Sequence, residues 1–145
     1  MSEQEILATI FGATLAALML ILIIGLAVAV FMIIVYWKMF SKAGEAGWKA
    51  IIPIYNTYIL FKVAKIPLVF FAWLICTILM WFDNSAINII GYLGVLVTWI
   101  VLDVKIASSF GKSAGFAVGL IFLPIIFFPI LAFGSATYQG DEQTA

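Results

Sequence analysis

The residues that could do chemistry in this chain are few. There are seven lysines and seven acids, no arginine, no histidine and a single cysteine, Cys76. Without imidazole, the usual routes to haem, copper or zinc ligation and to acid–base catalysis near neutral pH are closed. Cys76 lies inside an apolar run, where a thiol packs as a small hydrophobe, so neither a disulfide framework nor a thiolate metal site is expected. Hydroxyls stand beside amines at Ser41-Lys42 and Lys112-Ser113, with Ser108-Ser109 close by. A Ser/Lys nucleophile also needs a desolvated lysine and an oxyanion hole, and nothing in the sequence supplies them. The segment FGKSAG at 110–115 lacks the first glycine of a phosphate loop and follows an apolar run rather than a strand. No catalytic residues, cofactor or metal are expected.

Asp103 is the one acid expected within a membrane span, and a bare carboxylate in hydrocarbon costs several kcal/mol. The expected relief is a boundary salt bridge to Lys42, Lys49 or Lys62. Proton coupling would call for a second acid at membrane depth, and none is present. A second group, Lys42, Trp48, Tyr55, Asn56, Lys62 and Lys65, could contact a lipid headgroup or ligand, since ammonium groups attract phosphate while amide and phenol groups fix orientation.

The elements that position these residues are set by composition. Of 145 residues, 66% are hydrophobic and 10% charged, and the mean hydropathy is +1.26. Soluble domains carry roughly half apolar and a quarter charged residues. Apolar runs long enough to cross a hydrocarbon core of about 30 Å recur. The expected fold is all-α, one membrane domain over 1–145 built as a four-helix bundle. Its spans fall at about 6–37, 67–82, 86–104 and 116–133, with an interfacial amphipathic segment at 43–65 and a polar tail at 134–145. The first run is read as a retained span, because Glu3 and Glu5 stand where a signal peptide is basic. Pro124 and Pro129 predict a kink in the fourth span. Asn56 is expected to cap a short helix over 57–65 lying in the interface.

Four spans put all seven lysines on one side. The positive-inside rule makes that side the cytoplasm and places both termini outside. In the first span Ala8, Gly12, Ala16, Gly25 and Ala29 are spaced to let a partner helix approach closely. Phe40-Ser41-Lys42-Ala43-Gly44 returns seventy residues later as Phe110-Gly111-Lys112-Ser113-Ala114-Gly115, which raises an internal repeat of two hairpins.

The run from Trp37 through Phe40, Lys42, Gly44 and Gly47-Trp48 to Ile52-Pro53-Ile54-Tyr55-Asn56 resembles a family of small bacterial membrane proteins of unknown function. So do Phe110-Gly111-Lys112-Ser113, Leu123-Pro124, Phe128-Pro129-Ile130-Leu131 and Phe133-Gly134. The same module resembles the extra membrane segment of some Bacteroidetes-type signal peptidases I. The likeness covers about residues 35–140, and the first span is less typical. It implies the bacterial inner membrane and carries no activity with it. The expected role is non-enzymatic, helix–helix association as a homo-oligomer or accessory subunit, the alternative being a small oligomeric channel or solute carrier. Expected partners are membrane lipids and other membrane subunits or further copies of the chain, not nucleic acid.

Overall fold

Three helix ends of the protein close with the same hydrogen-bond pattern, and these stops set the lengths of its long elements. In the computed structural model, which describes residues 1–139, α1 runs from Glu3 to Lys42 and α4 from Ser85 to Ser109. Between them lie a 3-10 turn at Gly47–Ala50, α2 (Tyr55–Val63) and α3 (Val69–Leu79), and after them α5 (Ala114–Phe122) and α6 (Pro124–Phe133). At the end of α1 the Glu45 amide donates back to the Phe40 carbonyl at 2.8 Å, with Gly44 at φ +82°. At the end of α4 Lys112 donates to Ala107 at 2.8 Å across Gly111 at φ +71°. After α2 Ile66 donates to Phe61 at 2.9 Å across Lys65 at φ +66°. Each is a Schellman stop, in which a left-handed residue lets the chain turn back onto the last helical carbonyls. The stops pair Gly44 with Gly111, so Lys112 occupies the place of Glu45, not of Lys42. The seventy-residue sequence likeness is therefore out of step with the geometry, and shared stop chemistry explains it better than a repeat.

The chain divides into two units, Met1–Ile33 and Ile34–Ala145. The first is helical from Glu3, and its start is a capping box. The Ser2 amide donates to Glu5 Oε2 at 2.8 Å and the Glu5 amide to Ser2 Oγ at 3.3 Å, satisfying two otherwise orphaned donors. Thr9 and Thr14 return their hydroxyls to the carbonyls of Glu5 and Ile10, at 2.8 Å each, which hides the polar groups of an apolar helix. Every residue from Met1 to Phe31 is exposed.

In the second unit α3 and α4 form a tight antiparallel hairpin. Asn84 caps α4, its side-chain oxygen accepting from the amides of Ala86 and Ile87 at 3.0 and 3.2 Å. Asn88 closes the other helix by donating to the Phe82 carbonyl at 2.6 Å. The two backbones approach at Gly91, where a Cβ would meet the Cys76 carbonyl oxygen at 2.8 Å, and at Gly94, where it would run into the Cys76 sulfur. Small residues at the crossing make this approach possible.

The core gathers where the lysines are. Val35, Met39 and Phe40 of α1, Ile59, Leu60, Phe61 and Val63 of α2, and Leu102, Ile106 and Ala107 of α4 are at most 2% exposed, and Leu120 and Leu131 join them. The segment α2, expected in an interface, buries Ile59, Leu60, Phe61 and Val63 in protein and leaves Tyr55 and Lys62 exposed. Its apolar residues run continuously from Ile59 to Phe61 and outweigh the amphipathic pattern. Nor does Asn56 cap it, for the helix begins at Tyr55 and Asn56 donates instead to the Ala50 carbonyl at 3.2 Å. Away from this core, Phe71, Ile75, Ile78, Ile89, Ile90, Leu93 and Val97 of the α3–α4 hairpin are exposed.

The fourth expected span is not one helix. Pro124 has no N–H to offer the Leu120 carbonyl, and the chain breaks at Leu123 (φ −132°, ψ 58°). The two pieces fold against each other: Phe116 and Phe127, on different helices, stack edge to face at 5.1 Å, and Gly119 leaves room for the Phe127 ring. Both ends of this short hairpin lie at the lysine-rich end. The chain leaves α4 at Ser109, and on return Gln139 donates its amide to the Ser109 carbonyl at 2.7 Å. Tyr138 donates its hydroxyl to the Val63 carbonyl at 2.9 Å and sets its ring edge against Phe110. The fourth expected span is thus a helical hairpin. Residues 136–139 return to the end of the protein that holds Lys42, Val63 and Ser109. What stands is an all-helical chain, among the described residues, with two helices long and apolar enough to cross a membrane, α1 and α4. The 11 residues of α3 reach about 16 Å.

Candidate functional site

Helix α4 presents Leu96, Trp99, Ile100 and Asp103 at steps of three, four and seven, which places them on one face. That face, with Tyr36 of α1, Leu120 and Ile121 of α5, and Pro124 and Phe128 of α6, lines a cavity of about 310 Å³. The break at Pro124 makes it possible, since a straight helix would not turn α6 back across the end of α5. Tyr36 and Phe128 meet edge to face at 5.6 Å and 83°, and Trp99 lies against Trp73 at 6.5 Å.

Asp103 is 6% exposed, and its Oδ1 is fully buried with no hydrogen-bond partner. The expected boundary salt bridge does not form. Lys42 donates to three backbone carbonyls at the end of α6, Leu131 at 2.6 Å, Ala136 at 2.8 Å and Gly134 at 3.0 Å. Lys49 and Lys62 both pair with Glu45, at 2.7 and 2.9 Å. Each lysine thus has a nearer acceptor, and the carboxyl group one or two helical turns inside is left alone. The two hydrogen bonds hold the Glu45 carboxyl below the usual glutamate range, and the same bonds raise Lys49 and Lys62.

Four of the six residues of the headgroup-contact set have protein partners. Lys42 is committed to α6, Asn56 to Ala50 and Lys62 to Glu45, while the Lys65 ammonium sits 5.7 Å from the centre of the Tyr138 ring. Trp48 and Tyr55 remain at the surface with ring centres 6.5 Å apart. Beside them Ile54 (φ +67°, ψ −49°) is the centre of a strained γ-turn, closed by the Tyr55 amide on the Pro53 carbonyl at 2.7 Å. The proposed helix-contact residues Ala8, Gly12, Ala16, Gly25 and Ala29 are all exposed, and a Cβ at Gly12 or Gly25 would meet nothing within 4 Å.

Sequence reasoning passed over Glu45, Tyr36, Trp99 and Phe128. Helical spacing from Asp103 would have found Trp99, four residues before it. Glu45 lies four before Lys49, a standard helical ion-pair spacing. Nothing local marks Tyr36 or Phe128, which reach the cavity only through tertiary packing.

Residues 48–141 match a family of unknown function, DUF5684. The chain belongs to this family. The DUF5684 match begins at Trp48 and so takes in the cavity residues of α4, α5 and α6, but neither α1 nor Tyr36. Comparison with curated proteins and with solved structures gave no match.

Proposed function

We propose that this DUF5684 protein is a non-enzymatic integral membrane protein that acts through helix–helix association, as a homo-oligomer or as an accessory subunit of a larger membrane complex. The observation carrying this reading is the N-terminal unit, helical from Glu3, with every residue from Met1 to Phe31 exposed and open space at Gly12 and Gly25. An apolar helix with a row of Ala and Gly packs well against another membrane helix, because small residues let backbones come close. The Leu substitutions Gly12→Leu and Gly25→Leu should each reduce the particle mass measured in mild detergent or release a copurifying subunit. Unchanged mass and unchanged copurification for both would remove the reading.

The topology that goes with it has α1 and α4 crossing a bacterial inner membrane, residues 66–84 with the short α3 returning beside α4 and completing the passage outside the helix, and α5–α6 dipping in from the lysine-rich side. The positive-inside rule makes that side cytoplasmic, with the N-terminus outside and residues 134–139 inside. In a Cys76→Ala background, an impermeant thiol reagent added to intact cells should spare Ser113→Cys and Ser135→Cys and label Asp83→Cys. Labelling of Ser135→Cys from outside would return the chain to four crossings.

A small channel or solute carrier is the second reading, favoured by the α5–α6 hairpin and the cavity beside it. Non-helical backbone at membrane depth is tolerated where protein buries it or where it lines a cavity. Solute flux into liposomes that is lost with Asp103→Asn would put this reading first.

A further inference from the structure

We infer that the cavity between α1, α4, α5 and α6 is a binding site for a small organic ammonium ion. The inference depends neither on helix association nor on transport. Asp103 lines the cavity as the last of the four α4 residues on that face and is 6% exposed, with Oδ1 lacking any donor. Buried polar atoms are nearly always satisfied, and one that is not asks for an explanation. A bound ammonium provides both an opposite charge and N–H donors.

The chain's own cations are placed elsewhere. Lys42 holds the carbonyls at and just beyond the end of α6, Lys49 and Lys62 hold Glu45, Lys38, Lys65 and Lys112 lie over the rings of Phe133, Tyr138 and Phe116, and Lys105, two residues beyond Asp103, is exposed. The walls choose the class of cation. A metal ion of the calcium or magnesium type needs about six oxygen ligands. Here the carboxyl stands among Leu, Ile and Pro side chains and the rings of Tyr36, Trp99 and Phe128. Aromatic faces attract organic cations and are the usual lining of alkylammonium sites. The volume of about 310 Å³ lies at the small end of ligand pockets, which suits an amine carrying a short alkyl group.

The test uses the full chain in mild detergent, titrated with butylammonium chloride and, separately, with uncharged 1-butanol, followed by calorimetry and by melting temperature. Butylammonium should bind saturably and raise the melting temperature, and 1-butanol should not. Asp103→Asn should weaken butylammonium binding about tenfold or more. Because no partner of Oδ1 is lost, this variant should melt no lower than the parent, which separates loss of binding from loss of fold. Trp99→Leu should weaken binding while leaving it measurable. Equal binding of the alcohol, an Asp103→Asn protein that binds butylammonium as the parent does, or no saturable binding at all would each overturn the inference.

Discussion

The Lys42 ammonium, on the last residue of α1, donates to the Leu131 carbonyl near the end of α6 at 2.6 Å, across 89 residues of sequence. Its other donors reach the carbonyls of Gly134 and Ala136. A helix C-terminus leaves its last carbonyls without partners and carries partial negative charge, so one lysine answers both needs. The contact fixes where the α5–α6 hairpin ends.

Lys42→Met keeps much of the aliphatic stem and removes the donors. It should destabilise the second unit by roughly 2–3 kcal/mol, the cost of leaving partly buried carbonyls unpaired. A melting curve in detergent checks this, and trypsin should cut more readily at Lys112, where the hairpin begins. A Lys42→Met protein as stable as the parent would mean that the three hydrogen bonds contribute nothing net.

Glu45 gives the protein an acid limit. Its folded pKa lies below the ordinary value because Lys49 and Lys62 hydrogen-bond to it. A depressed carboxyl pKa contributes stability that is present above the unfolded value, about 4.3 for glutamate, and lost as pH falls through the folded value. Melting temperature should therefore fall as pH is lowered from about 5 to below 4. Glu45→Gln should be less stable at neutral pH and should flatten this dependence. Because Lys62 is half exposed, added salt should shrink the effect. An identical acid slope in both proteins would assign the loss to another group.

Lys65 reverses an ordinary rule of substitution. It stands at φ +66° after α2, where a side chain costs about 1–2 kcal/mol that glycine avoids. Both Lys65→Ala and Lys65→Gly lose the ammonium over the Tyr138 ring, and Lys65→Gly alone gains backbone relief. We expect Lys65→Gly to be the more stable of the two by about 1 kcal/mol, against the usual preference for alanine near helices. Paired thermal melts decide it.

How much of this was legible beforehand divides along one physical line. Composition and run length fixed a helical chain with long apolar segments, because burial or lipid is the only place for so much apolar surface. Local chemistry located a kink in the last span, since the effect of a proline reaches only residues within a few positions. Asp103 stood out for the same kind of reason, a charge where hydrocarbon was expected. What tertiary structure alone decided was where competing partners go. Lys42 took three carbonyls at and just beyond the end of α6, Lys49 and Lys62 took Glu45, and Asp103 was left over. Lysine counting treats every ammonium alike and assumes that each apolar run crosses. The α5–α6 run forms a hairpin because Pro124 frees the chain to fold back, and a returning hairpin is as apolar as a crossing helix. Hydropathy measures what a segment can dissolve in, and direction is set by contacts between residues far apart in sequence.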